Sequence, residues 1–234
     1  TDLKFGRKLD EFDYEIYSLN QAMMPGDTVA LSMEVQRYYK GFPNEGNGAN
    51  IVYNGSFLNS NFFPSFGYDP GAELTSDLDR KKYDLPKKEY NLPDQNDERG
   101  LSNLLFNDDA DYVTFEGTVS TSPDQIAIMP GNLQKEWEEG GKKYYQYKMK
   151  GKLLYFFNVS SARYAVHREV WTGENGEKVN IEIFHHPSHT YNIDRFVKSV
   201  KHSIDYYNDN YGPYQYRQMR IIEFPRYQRF AQSF

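Results

Sequence analysis

The sequence predicts a mainly β chain of antiparallel strands that closes on one strand, one helix and one strand. Three observations predict it. The 234 residues include 21 Tyr and 16 Phe, residue types that suit the half-buried surface of a pleated strand. Alternation of apolar and polar residues with period two recurs along the chain. The three-to-four residue period of an amphipathic helix appears once, after residue 192.

Taken in order, Val29, Leu31, Met33 and Val35 alternate with Ala30, Ser32, Glu34 and Gln36, which predicts a strand over 27–39 with one face buried. Pro25-Gly26 fixes its start. Ile51-Val52-Tyr53 before Asn54-Gly55 predicts a hairpin, because Asn and Gly tolerate the positive φ of tight turns. Residues 61–107 carry Pro64, Pro70, Pro86 and Pro93 and read as irregular, with room for two or three short helical turns. Alternation resumes at Tyr112, where Val113, Phe115 and Val119 share a face. Residues 126–129, 142–150, 153–159, 162–171 and 178–184 continue as strands, and Gly173-Glu174-Asn175-Gly176 is a turn. Phe196, Val197, Val200, Ile204 and Tyr207 then form one helical stripe. Asn192 is expected to cap its first amides and Gly212-Pro213 to stop it. A last strand covers 217–224.

Composition excludes several functions. There are 27 Lys and Arg against 33 Asp and Glu, a net charge of -6 with both signs spread along the chain, so nucleic acid is not an expected partner. Without cysteine there are no disulfides, thiolate metal sites or cysteine nucleophiles. No apolar run reaches the ~20 residues that span a bilayer, and the first ten residues are too polar for a signal peptide. The start at Thr1 and the end in Ala231-Gln232-Ser233-Phe234 just past a strand-like run read as the ends of an excised segment.

The one histidine cluster is His185-His186-Pro187-Ser188-His189. His185 and His189 have the four-residue spacing that places two zinc ligands on one helical face. A zincin helix needs Glu where His186 stands, and Pro187 would break it, so the segment reads as a polar loop. The acidic runs Asp94-Gln95-Asn96-Asp97-Glu98 and Asn107-Asp108-Asp109-Ala110-Asp111 lack the ligand spacing of a helix-loop-helix calcium site and read as solvated loops. No phosphate-binding glycine loop and no Gly-x-Ser-x-Gly elbow is present. Tyr206, Tyr207, Tyr211, Tyr214 and Tyr216 concentrate aromatic surface at the helix end, where corner packing competes with stacking on a sugar or peptide.

The helix running through Tyr206-Tyr207-Asn208-Asp209-Asn210-Tyr211-Gly212-Pro213-Tyr214 and the following Arg217-Gln218-Met219-Arg220-Ile221-Ile222-Glu223-Phe224-Pro225 resemble the opening of the catalytic domain in aminopeptidase N-like zinc metallopeptidases. Met24-Pro25-Gly26-Asp27 and Asn54-Gly55-Ser56-Phe57 look like that family's amino-terminal β-saddle domain. The resemblance implies an antiparallel β-saddle or sandwich over residues 1–172. The start of a thermolysin-like α+β domain, truncated here, would then cover 173–234. It is closest to the bacterial branch fused to or encoded with a membrane transport permease, which implies a periplasmic or other extracytoplasmic location.

His-Glu-x-x-His, the downstream Glu ligand and the Gly-x-Met-Glu-Asn substrate loop are all absent. The resemblance therefore assigns no catalytic, cofactor-binding or metal residue to this chain. It implies zinc and a peptide substrate in a missing catalytic domain, and for this region a role in shaping the cleft, with no activity of its own. The alternative from the residues alone is a stand-alone β-sandwich binding carbohydrate or protein, which coplanar exposed tyrosines would favour.

Overall fold

The computed structural model describes residues 3–10, 14–38, 41, 50–64, 67, 73–88, 96–98 and 112–225. It divides into two bodies, one formed by 1–38 with 65–103 and the other by 39–64 with 104–234. The chain is mainly β, with antiparallel sheets and few helices, as the sequence predicts. No helix among the described residues is long and apolar enough to cross a membrane.

In the first body, β1 (Leu3–Leu9) and β2 (Tyr14–Leu19) form an antiparallel hairpin. Phe5 meets Tyr17 edge to face at 5.6 Å. Helix α1 (Asp77–Lys82) starts at Ser76, whose hydroxyl accepts from the Asp79 amide, and it ends in Arg80, Lys81 and Lys82. Acidic residues at its start and basic ones at its end complement the helix dipole. Arg80 is buried and satisfied by the Pro86 and Leu74 carbonyls and by Glu73.

The alternating segment 27–38 forms no strand, which corrects the sequence expectation. Its side chains do alternate, since Gln36 donates to Glu34 and Tyr38 to Gln36 on one side. No described strand pairs with it, and Leu31, Met33 and Val35 stay 39, 52 and 40% exposed. Alternation alone supplies no ladder partner and no core to bury against.

The described residues of the second body form three sheets. The first has the order β3 (Ile51–Val52), β4 (Gly55–Asn59), β9 (Asn158–Ala162), β6 (Ile126–Ile128). The second runs β5 (Val113–Thr121), β8 (Lys142–Leu153), β7 (Asn132–Glu139), and the third β10 (Ala165–Thr172), β11 (Lys178–His185), β12 (Gln218–Ile222). The run expected over 153–159 is split, because Phe156 donates to the Leu154 carbonyl in a tight turn and only Asn158 onward pairs with β4.

The expected hairpin at 51–55 forms, with Val52 opposite Gly55 and a two-residue turn of Tyr53 and Asn54. Neither Asn54 nor Gly55 has positive φ. Gly55 is needed for another reason. A Cβ there would lie 2.0 Å from the Ser161 carbonyl oxygen and 2.7 Å from Ala162, so the absence of a side chain lets β4 meet β9.

Each layer buries its apolar face on the next. Ala127 and Val159 of the first sheet pack with Tyr145 and Tyr147 of the second. Its opposite side, with Phe57, Ile128 and Ala162, packs on Phe184 and on half-buried Ile222. The third sheet then buries Trp171, Val179 and Ile181 against Ile204 of helix α2 (Ile193–Tyr211). Full burial of one such side chain contributes about 1.5–3 kcal/mol.

Helix α2 is the predicted helix, but its start differs from expectation. Asn192 sits at φ 64°, ψ 5° and its side chain makes no capping bond, because a left-handed residue cannot present its side chain to the following amides as an extended N-cap does. Its end is as expected. Gly212, at φ 116°, donates to the Tyr207 carbonyl. Strands β11 and β12 pair in parallel, Ile181 opposite Met219, and α2 is the crossover that parallel pairing demands. The turn at Gly173 joins β10 to β11, with Thr172 opposite Lys178, so residues on both sides of it belong to one sheet.

Trp171 ties this sheet to α2, its indole N–H donating to Asp205 at 2.6 Å. Trp171→Phe keeps most of the apolar surface and removes a hydrogen bond to a charged acceptor, worth about 1.5–3 kcal/mol. Urea denaturation should show about 2 kcal/mol lost at unchanged m-value. A loss below ~0.5 kcal/mol would mean that the bond is exchanged for water at no cost.

Candidate functional site

Three places among the described residues of the second body bring chemistry-bearing side chains together. The first is the histidine segment at the end of β11. Residues 186–189 form a turn closed by the His189 amide on the His186 carbonyl at 2.8 Å, and Pro187 suits its second position because its fixed φ is that of a turn. The segment is not helical, as Pro187 leads one to expect. His185 belongs to β11 and is 9% exposed, with Nδ1 on the His186 carbonyl. The two residues with zincin spacing are therefore not the two that converge. His186 and His189 do, their rings 4.9 Å apart at 43°.

Glu223, just past β12, organises the turn. One carboxylate oxygen accepts the His186 amide at 2.7 Å and the other accepts from His189 Nδ1. Its own amide donates to the Phe184 carbonyl, and its carbonyl accepts the Tyr164 hydroxyl at 3.0 Å. Burial pushes the Tyr164 phenol far above its ordinary value, so that hydroxyl stays a donor. Among the described residues no group of three or more His, Cys, Asp or Glu is arranged to hold a metal.

The second place is a cleft of about 760 Å³. Phe57, Met129 and Phe157 line it from the antiparallel sheets, and Tyr214, Tyr216 and Arg220 from the α2–β12 side. Tyr214 is held by its amide on Asn208 Oδ1 and its hydroxyl on the Gln218 carbonyl. Arg220 is held by Glu182, the Met129 carbonyl and Gln218, and lies over the Tyr147 ring at 5.3 Å. The lining is apolar with polar groups at fixed places, which suits binding better than proton transfer.

A smaller hollow of about 380 Å³ between β10 and α2 is lined by His167, Glu169, Asp194, Lys198, Lys201 and His202. Lys201 donates to Glu169 and holds its carboxyl below the ordinary range, which makes that carboxylate a poor base.

Tyr206, Tyr207 and Tyr211 cluster at the end of α2, but their rings meet at 83°, 59° and 39°, so they offer no coplanar platform. The acidic run 107–111 and the tail 226–234 lie outside the described residues, as do Asp94 and Gln95 of the other run. Glu223 was missed by sequence reasoning. It stands 34 residues from His189, and only the parallel pairing of β12 with β11 carries it there.

No family model and no curated protein matches the chain. Solved structures do. Aminopeptidase A of Legionella pneumophila in complex with aspartic acid is 17% identical over 47% of this chain and 13% of that one, at a TM-score of 0.43. The M1 zinc metallopeptidase of Deinococcus radiodurans is 15% identical over 49% of this chain and 27% of its own, at 0.43. A mutant two-domain M1 zinc metallopeptidase bound to L-arginine is 16% identical over 49% and 27%, at 0.42. This chain thus spans from 13 to 27% of the length of these proteins, and its likeness to them covers about half of its own residues.

Proposed function

We propose that this chain is the non-catalytic β-rich region of an aminopeptidase N-like zinc metallopeptidase and walls the substrate cleft of a catalytic domain. The observation that carries the proposal is the cleft of about 760 Å³. One wall comes from the antiparallel sheets. The other comes from the Tyr214 corner and β12, the segment whose residues resemble the opening of such a catalytic domain. In this reading residues 173–234 begin that domain, with β11 sharing a sheet with β10. The contribution is to position substrate, not to react with it.

Zinc and the peptide substrate belong, in the same proposal, to the domain that follows. So do a permease fused to or encoded with the protein and an extracytoplasmic location.

The test is to read the natural coding sequence beyond Phe234 for His-Glu-x-x-His and a later Glu. The chain extended through that motif is then assayed on aminoacyl anilides with zinc, beside the 234-residue chain. The expected result is the motif in frame, turnover by the extended protein and none by the shorter one. A frame that continues without the motif, or turnover by the shorter chain alone, overturns the reading.

A further inference from the structure

We infer that Asn175-Gly176, in the turn from β10 to β11, is a site of spontaneous deamidation, where the asparagine side chain closes on the next amide and reopens as aspartate or isoaspartate. Water is the only co-reactant. The sequence holds three Asn-Gly pairs, at 47–48, 54–55 and 175–176. The first lies outside the described residues, and the structure sets the other two apart.

The chemistry starts at the Gly176 nitrogen, which attacks Asn175 Cγ. A bond forms between them, the Cγ–Nδ2 bond breaks, and Nδ2 leaves as ammonia, taking the proton of the Gly176 amide. Water then opens the cyclic imide at either of its two carbonyls. Opening at Cγ leaves aspartate. Opening at the main-chain carbonyl leaves isoaspartate, whose backbone is longer by a single carbon. Glycine favours the attack because it has no Cβ to crowd the nitrogen. The attack also needs a backbone that can leave its turn or ladder bonds for a moment, which depends on the free energy of local opening.

Residues 175 and 176 meet both requirements. They are exposed, Gly176 stands at φ 84°, and nothing lies within 4 Å of where its Cβ would be. The Gly176 amide donates within the turn, to the Gly173 carbonyl at 3.1 Å. Asn175 is tied to the exposed Glu177 carboxylate through its amide at 3.2 Å and through Nδ2 at 3.3 Å. Bonds of this kind exchange with water at little net cost. Asn54-Gly55 is the opposite case. Gly55 is buried in β4, opposite Val52 of β3 and Ala162 of β9, and the Asn54 carbonyl accepts the Arg163 amide. Cyclisation there requires β4 to leave β9. At 175 either product lacks the Nδ2 donor and carries a further carboxylate close to Glu177. That carboxyl is held below its ordinary range by its own amide and by Asn175, so it is already ionised and the turn exchanges a bond for a repulsion.

The experiment ages the folded 234-residue chain in mildly alkaline buffer beside the same chain unfolded in urea. Peptide mass mapping follows the conversion of each asparagine, and enzymatic methylation of isoaspartate identifies the rearranged product. In the folded chain Asn175 is expected to convert within about threefold of its unfolded rate, with isoaspartate in the 175 peptide. Asn54 is expected to be slowed about tenfold or more, which corresponds to an opening free energy of at least about 1.4 kcal/mol. Asn175→Gln, whose extra methylene makes the ring six-membered, should remove the event at 175 and leave the rate at 54 unchanged. Circular dichroism establishes that this variant is folded. Slowing of Asn175 by folding as great as that of Asn54, conversion of Asn54 as fast as that of Asn175, or no isoaspartate in the 175 peptide overturns the inference. None of these outcomes depends on whether a zinc motif follows Phe234, so the site and the proposed function fail separately.

Discussion

Gly131→Ala lowers the unfolding free energy by about 2–5 kcal/mol. Gly131 lies in the turn from β6 to β7 at φ 90°. An L-residue there has left-handed strain of about 1–2 kcal/mol. A Cβ would also stand 2.4 Å from the carbonyl carbon and oxygen of Lys148 and 2.6 Å from the Met149 amide nitrogen. These are backbone atoms of β8, which cannot swing aside as a side-chain tip can, and forcing them apart costs about 1–3 kcal/mol or more. The displacement also pulls on the Gln218 side chain, which donates to the Gly131 carbonyl and joins β12 to this turn. Gly140→Ala is the control. That residue has φ 56° with nothing within 4 Å of its Cβ position, so it carries strain alone and should cost about 1 kcal/mol. Denaturant titrations of the two variants decide the matter. Equal losses would show that the β8 backbone yields and that conformational strain is the whole effect.

Elements whose faces differ are the ones legible in the sequence. Strand β5 alternates because Phe115 and Val119 pack on the tyrosine core while Thr114 and Glu116 face water. Helix α2 is legible because Val197 and Ile204 bury a stripe against the third sheet. Strand β7 was passed over for the opposite reason. In Asn132–Glu139 only Trp137 is partly buried, so no apolar period marks it, and pairing with β8 holds it in place. The segment 27–38 errs the other way, since it has the period but no strand partner among the described residues. A strand needs a partner as well as a pattern, and one sequence records only the pattern.

The histidine turn was legible in part. Pro187 correctly forbids a helix, and that removes the zincin reading. Asn192 was misread because Asn suits both an extended N-cap and the left-handed position it occupies. Glu223 carries no local signal at all. Its relation to His189 depends on the register Phe184 to Ile222 between parallel strands, and the intervening α2 separates the two in sequence while the sheet unites them.

Stability should fall steeply above pH 10, led by Tyr147. This side chain is 3% exposed in the tyrosine core, and its hydroxyl donates to the Ala127 carbonyl at 3.0 Å. Burial pushes its pKa up to about 12, against 10.0 for an ordinary tyrosine. The folded value exceeds the unfolded one, so the contribution is whole below pH 10 and is lost as pH rises from there through 12. Two pH units at 1.36 kcal/mol each amount to about 3 kcal/mol. Tyr164, raised still further by burial, continues the loss in the same direction, because its folded form also keeps a proton that the unfolded chain releases. Urea unfolding free energies measured from pH 8 to 12 should therefore be level at first and then drop. Tyr147→Phe is weaker at neutral pH by about 1–3 kcal/mol, since the Ala127 carbonyl loses its donor. Above pH 10 its decline should be shallower by up to one proton, about 1.4 kcal/mol per pH unit. If the variant declines as steeply as the parent, the Tyr147 hydroxyl titrates like an exposed phenol and the packing of β8 onto β6 is looser than its burial implies.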